Sequence, residues 1–214
     1  MTLRLNGATS GYTEIDAPAV AGNNNLKLPG GNGSDGNILG TDGAGNLSWV
    51  NGRMVLETAK ASTSGTFVDF TGIPSWVKRI TVTLNGVSTS GISVPLIQLG
   101  DSGGIENTGY TGTAASIFSA ANPGISAMSA GFSLAQVANW TAAGIVYGSY
   151  TLTLVTASTN TWAIQGQVGR PADTTIHVIA GTKSLSATLD RIQLIATNGT
   201  DTFDAGSINI LYEG

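Results

Sequence analysis

The sequence predicts an all-β protein: an antiparallel β-sandwich, jelly-roll-like, over residues 51–214, preceded by an extended Gly/Asn-rich N-terminal arm over residues 1–50. Three observations lead there. After Val50 the chain alternates apolar and polar residues with the period of half-buried strands. No stretch of useful length keeps a helical period. And the composition changes at Val50, before which 50 residues carry 10 Gly and 7 Asn but only two aromatics, Tyr12 and Trp49. Such a segment cannot offset its own ordering entropy. It must be disordered or ordered by something it lies against, copies of itself included. Fully extended it would reach on the order of 150 Å, at roughly 3.3 Å per residue.

Within the arm, the turn-rich runs Gly22-Asn23-Asn24-Asn25, Gly30-Gly31-Asn32-Gly33-Ser34-Asp35-Gly36 and Asp42-Gly43-Ala44-Gly45-Asn46 separate short apolar pieces. Those pieces are Leu26-Lys27-Leu28, Ile38-Leu39 and Leu47-Ser48-Trp49-Val50. Three copies in a symmetric oligomer could pair such pieces around an axis. Strands are then expected at Met54 to Thr58 and Thr66 to Phe70. Ile80, Val82 and Leu84 alternate with Arg79, Thr81, Thr83 and Asn85, and Asn85-Gly86 reads as the end of that run. A strand is expected at Val94 to Leu99. Tyr150, Leu152 and Leu154 alternate with threonines, Ala157-Ser158-Thr159-Asn160 turns the chain, and Trp162, Ile164 and Val168 continue on one face. This is a hairpin. Thr174 to Ile179, Ser186 to Ile195 and Ser207 to Tyr212 complete the set, and regular short strands of this kind suit a sandwich. Asp101 to Gly148 is expected to be the irregular, recognition-bearing face. Its best helical candidate, Ser129 to Ala143, has only loose spacing at Phe132, Leu134, Val137 and Trp140.

The chain has 9 basic and 13 acidic residues, 10% charged against an average of about 25%. A surface of hydroxyls and amides suits a protein packed against protein neighbours or in contact with sugars. The net charge of −4 leaves no electrostatic footing for nucleic acid, and Lys78-Arg79 reads as a solvated strand end. Cysteine is absent, which removes disulfides, thiolate metal sites and thiol nucleophiles. No run approaches the ~20 apolar residues of a membrane helix, and Met1 to Asn6 lacks the apolar run of a signal peptide. Neither membrane insertion nor export by the usual route is expected.

Gly100-Asp101-Ser102-Gly103-Gly104 matches the sequence around the nucleophile of chymotrypsin-like proteases, in which His and Asp precede Ser. Here the only histidine, His177, follows Ser102. The run is expected to be a β turn, and no catalytic residue is assigned. His177 alternates with Ile176 and Val178, and is expected to be a satisfied surface or edge residue. Asp42-Gly43-Ala44-Gly45-Asn46 lacks the alternating acids and terminal Glu of a calcium loop, so no metal and no cofactor is expected. No carboxylate pair stands out for glycoside hydrolysis; Asp201 and Asp204 read as turn residues and Asp190-Arg191 as a surface pair. For binding, Asp101, Glu106, Asn107, Tyr110 and Trp140 combine hydroxyl-bonding groups with aromatic faces, the usual make-up of a sugar site. Trp76 and Trp162 are expected in the core.

Asn24-Asn25-Leu26-Lys27-Leu28-Pro29 followed by Gly36-Asn37-Ile38-Leu39-Gly40-Thr41-Asp42-Gly43-Ala44-Gly45-Asn46-Leu47-Ser48-Trp49 resembles a segment common in tail fibres and other virion appendages of tailed bacteriophages, notably of marine and cyanobacterial hosts. Phe70-Thr71-Gly72-Ile73-Pro74-Ser75-Trp76-Val77-Lys78-Arg79-Ile80, Gln98-Leu99-Gly100-Asp101-Ser102-Gly103-Gly104 and Asp201-Thr202-Phe203-Asp204-Ala205-Gly206-Ser207-Ile208-Asn209-Ile210 resemble the β domain that often accompanies it. The resemblance implies a virion location, a parallel homotrimer, attachment to other virion proteins through the arm, and no catalytic residues. A long repetitive shaft is lacking, so the leading expectation is a short tail fibre or fibre tip that contacts a host surface glycan. A capsid decoration or head-fibre protein is the alternative, and a glycan-degrading tail enzyme the lesser one.

Overall fold

Glycines able to take positive φ let the Asn-rich start of the chain turn back on itself twice. The computed structural model describes all residues except 1, 2, 17, 21, 35, 53 and 119–123, and divides into compact units of residues 1–52 and 53–214. In the first unit, β1 (Leu3–Asn6) pairs with β2 (Tyr12–Ile15) and β3 (Asn37–Thr41) with β4 (Leu47–Asn51), both antiparallel. The Arg4 guanidinium lies 3.4 Å from the centroid of the Tyr12 ring. Between β3 and β4, Asp42 Oδ1 accepts the Ala44 and Asn46 N–H groups at 2.8 and 3.1 Å, an Asx-type turn. Trp49 Nε1 donates to the Gly31 carbonyl at 2.5 Å, and its ring lies so close to Gly33 that a Cβ there would approach it to 2.8 Å. Within the segment expected as an extended arm, these ranges form hairpins. Two-stranded hairpins are marginal alone, and Leu26, Leu28, Ile38, Leu39 and Trp49 are all exposed.

The regular structure of the second unit is strand apart from three single 3-10 turns. In order come β5 (Met54–Leu56), β6 (Lys60–Ala61), β7 (Phe67–Thr71), β8 (Arg79–Thr89), β9 (Pro95–Asp101), β10 (Gly104–Glu106), β11 (Tyr110–Ile117), β12 (Gly124–Ala127), β13 (Phe132–Ser133), β14 (Val146–Thr156), β15 (Thr161–Arg170), β16 (Thr175–Ser184), β17 (Arg191–Ala196) and β18 (Phe203–Glu213). They form two antiparallel sheets. The larger runs β12-β11-β16-β15-β14-β8-β18-β5, with β6 also on β18; the smaller runs β10-β9-β17-β7, with β13 also on β9. Alternate residues of both enter one core, among them Val82 and Leu84, Tyr150 and Leu152, Ile208 and Ile210 from the larger sheet and Val68, Leu99, Ile192 and Leu194 from the smaller. Trp162 is in that core, and Trp76 packs on it with its ring 5.7 Å from that of Tyr212.

Three expectations are corrected. Asn85-Gly86 does not end a strand: β8 continues to Thr89, with a register shift against β14 and β18 that Gly86 (φ 71°) and Gly206 (φ 85°) absorb as a bulge. Asp101 to Gly148 is not wholly irregular, because β11 pairs along its whole length with β16. Its inward residues, Tyr110, Ala114 and Ser116, are too small or polar to print an apolar alternation. The strand expected at Ser186 to Ile195 begins only at Arg191. Ser129 to Ala143 holds β13 and a single 3-10 turn at Val137–Asn139.

Alanine at Gly206 would strain the backbone and drive its Cβ into the Gly86 carbonyl oxygen. We expect Gly206→Ala to cost about 2–3 kcal/mol, read as a drop in the urea midpoint. Gly199, also at positive φ but with open space around its Cβ position, should cost only about 1 kcal/mol as alanine. Equal midpoints for the two variants would disprove the bulge argument.

Candidate functional site

Of the five residues expected to meet a sugar, three come together around the turn that joins β9 to β10. Asp101 pairs with Gly104 across Ser102-Gly103, so the protease-like motif is a two-residue hairpin turn. The Asp101 carboxylate is buried; it accepts the Ser186 hydroxyl at 2.6 Å and the Gly103 N–H at 2.8 Å, which hold its pKa below the usual carboxylate range. Tyr110, on β11, is buried with its hydroxyl accepting the Leu99 N–H at 2.7 Å and donating to the Glu106 carbonyl at 2.8 Å. Burial pushes that phenol's pKa up. Glu106 is partly buried, which works against its charge, but Lys183 and the Ser186 N–H outweigh this and lower its pKa. Lys183 is itself buried, ion-paired to Glu106 and 5.4 Å from the Tyr110 ring centroid. The group is a latch that fastens β10 and the segment after β16 to the sheet ends.

Trp140 is elsewhere. The Tyr110–Lys183 pair and the Ser116–His177 pair stand at opposite ends of the β11–β16 ladder, and Trp140 sits at the second end, its ring 6.3 Å from that of His177. It is buried, with Nε1 donating to Thr89 Oγ1 at 2.7 Å. The structure does not bring the five together: the Tyr110 and Trp140 rings are both buried in the core, and the Asp101 carboxylate is engaged in the turn. Asn107 alone of the five is exposed.

Asn107 lines a groove of about 480 Å³ on the outer face of the smaller sheet, with Leu96, Gln98, Ile105, Gln193 and Ile195. A neighbouring depression of about 250 Å³ shares Leu96, Ala130 and Thr197 with it, extending the lining to Ile92 and Val137. Gln98 is buried and donates to the Ala130 carbonyl at 2.8 Å, Gln193 donates to Asp69 at 2.7 Å and Asn107 is exposed; an apolar lining with amides and no charged side chain is a chemistry that accepts a neutral polyhydroxyl or an uncharged peptide. Sequence reasoning missed Gln98 and Gln193. Their alternation with Ile97, Leu99, Ile192 and Leu194 marked them as outward-facing, but only the β9–β17 register places them opposite one another.

His177 is also corrected, from surface residue to fully buried. β16 has a strand on each side, and His177 is one of its inward positions. Its Nδ1 is 2.8 Å from Ser116 Oγ, while Nε2 has no partner. Ser116 Oγ also accepts the Gln136 N–H at 3.3 Å. Beside them the buried Arg170 forks onto Asp173 at 2.6–3.0 Å and donates to the Asn139 carbonyl at 2.9 Å. Ser116 is itself wholly buried, so this dyad cannot reach a substrate as it stands. Burial, reinforced by the Arg170 charge, pushes the His177 pKa down to about 4 against an ordinary 6.5. Elsewhere, Asp201 accepts the Ser93 N–H at 2.9 Å and Asp204 the Ser88 hydroxyl; each is tied to its own neighbour. Asp190 and Arg191 form a half-exposed ion pair at 2.7 Å. Among the described residues no three His, Asp or Glu side chains converge as a metal site would require.

Compared with known proteins, the chain matches no family model, no curated protein and no solved structure. What the fold defines is thus a class: an antiparallel β protein whose polar side chains serve mainly to fasten its own loops.

Two outcomes follow from these contacts. Tyr110→Phe strands the Leu99 N–H and removes the bond to Glu106, at an expected cost of about 1–3 kcal/mol in chemical unfolding; a loss under a few tenths would contradict the latch. Because the folded state holds the His177 proton less tightly than the unfolded chain, the contribution of its neutral form is complete above pH 6.5. It is lost as pH falls from 6.5 toward 4. In urea titrations across that window the wild type should lose stability more steeply than His177→Gln, and parallel pH profiles would contradict the assignment.

Proposed function

We propose that this chain is a non-enzymatic structural protein of a tailed-bacteriophage virion, a short tail fibre or fibre tip taking part in host attachment. Residues 1–50 act as an attachment and trimerisation arm, and residues 51–214 as a jelly-roll-like sandwich domain turned toward the host. Its partners are other virion proteins and two further copies of itself. The observation that carries the reading is the division of apolar residues between the units. Every residue of the core cluster lies between Val68 and Tyr212, whereas most large apolar side chains of the first unit, Leu3, Leu26, Leu28, Ile38, Leu39 and Trp49 among them, are exposed, and Leu47 and Val50 are half-buried. Apolar side chains left uncovered within their own chain are suited to burial by partners.

The sequence resemblance to virion appendages and the sparse charge support the same conclusion. So does the use of the carboxylates: Asp101, Glu106, Asp173 and Asp190 are engaged in turns and ion pairs. The groove that holds Asn107 is the place we assign to a neutral host-surface glycan, since amides there can hydrogen-bond hydroxyls.

The test is a truncation assayed in particles. Residues 53–214 alone, with the core complete, should remain folded by circular dichroism and unfold cooperatively, yet fail to incorporate when supplied in place of the full chain during particle assembly. Incorporation at the wild-type level would overturn the role of the arm. Labelling the intact particle then reads location: a few copies at one vertex fit a tail fibre, whereas dozens or hundreds over the shell fit a capsid decoration protein.

A further inference from the structure

The outer face of the larger sheet has no use in the reading above, and its register is informative. Residues directly opposite in a ladder share a face, so the pairings define rows across the sheet. One row runs Tyr147–Gly169–Ile176–Ile117 across β14, β15, β16 and β11. Tyr147, Ile176 and Ile117 are 48%, 45% and 48% exposed. In the next row Val178 lies beside Ala115 and Ala115 beside Ile125, which is 66% exposed. Together these make a continuous apolar patch at one end of the face. Among the described residues of the second unit, none covers it.

Beyond the patch the rows turn polar but not charged. Thr81, Thr151, Gln165, Ala180 and Thr113 form one row, and Arg79, Thr153, Ala163, Thr182 and Thr111 another. Where Ala163, Ala180 and Gly181 interrupt the threonines there is a depression of about 540 Å³. Across these rows the charged side chains are Arg79 and its β18 neighbour Glu213, which face each other at 3.5 Å and neutralise one another. A broad sheet face facing water normally carries interspersed Lys and Glu. Charge depletion around an apolar centre is instead the composition of an interface core.

We propose that this face is where a second copy of this chain docks. Three features select that occupant. A face without net charge gains nothing from a charged partner and would leave that partner's charges desolvated, whereas this chain is itself only 10% charged. Hydroxyls and amides donate and accept, so rows of Thr and Gln are complementary to copies of themselves; rows of Lys or Asp would not be. The apolar patch and the small-residue depression, on one face, offer a projection and a recess that two copies can exchange. The inference rests on the chain being an assembly subunit, and names a body surface, separate from the arm, through which it assembles.

Sedimentation equilibrium of the full chain tests it, with Ile176→Glu and Ala180→Arg placed on the face and Phe67→Glu, at a position 51% exposed on β7 of the smaller sheet, as the control. The wild type and Phe67→Glu should be oligomers at micromolar concentration. Each face variant should weaken association by about 100-fold or more while keeping the wild-type circular dichroism spectrum and urea midpoint. Two face variants guard against one failing to fold. A monomeric wild type, or face variants with wild-type mass, would overturn the proposal. If the face variants stay oligomeric while residues 53–214 alone are monomeric, the arm carries assembly, and this inference fails while the proposed function stands. Protection of this face by host polysaccharide in a chain that does not self-associate would overturn it as well.

Discussion

Everything in the second unit depends on one packing constraint: two antiparallel sheets of unequal width bury their inner faces against each other. Each strand of the larger sheet gives its inward positions to that contact, Ile80, Val82 and Leu84 on β8 matched by Ile208 and Ile210 on β18 and by Tyr150 and Leu152 on β14. Because the side-chain period of a strand is two, fixing the inner set fixes the outer set with no freedom left. The uncharged Thr and Gln rows on the outside are therefore set by the same register that places the core. A slip of one residue would exchange the two faces.

The polar residues follow from that constraint. Where strands end, backbone groups need partners, and the chain supplies them with side chains that composition alone would mark for recognition. Asp101 closes the β9–β10 turn, Tyr110 reaches across to Leu99, and Lys183 with Glu106 ties the far end of β16. At the opposite end Trp140, Thr89, Arg170 and Ser116 hold the segment around the 3-10 turn over the sheet. His177 lies beneath it, with one ring nitrogen unpartnered. Buried polar groups of this kind fix the loops at the cost of sensitivity to acid.

The first unit obeys a different balance. Its hairpins are closed by local contacts, Asp42 with Ala44 and Asn46, and Trp49 with Gly31, and they bury little. A body that satisfies its own core beside a segment that does not satisfy its apolar residues is the physical basis for reading the chain as a subunit. The outer face of the larger sheet extends that proposal from the first unit to the second.

Period-two alternation by itself determined the all-β class, the 150–168 hairpin and the inward positions of β8, β14 and β15, because each of these is a local pattern of large apolar residues. The Gly/Asn content before Val50 determined that this segment lacks a core. Tertiary structure alone decided the rest. β11 buries Tyr110, Ala114 and Ser116, too small or polar to signal a strand, and belongs to the sheet only because β16 and β12 flank it. His177, Tyr110 and Trp140 are buried by neighbours distant in sequence, so no local pattern could tell a core residue from a ligand. The Gly86–Gly206 bulge needs two backbones to meet. Local periodicity records which way a side chain points along its own strand; what it then meets is set by long-range pairing, which the linear order of residues does not carry.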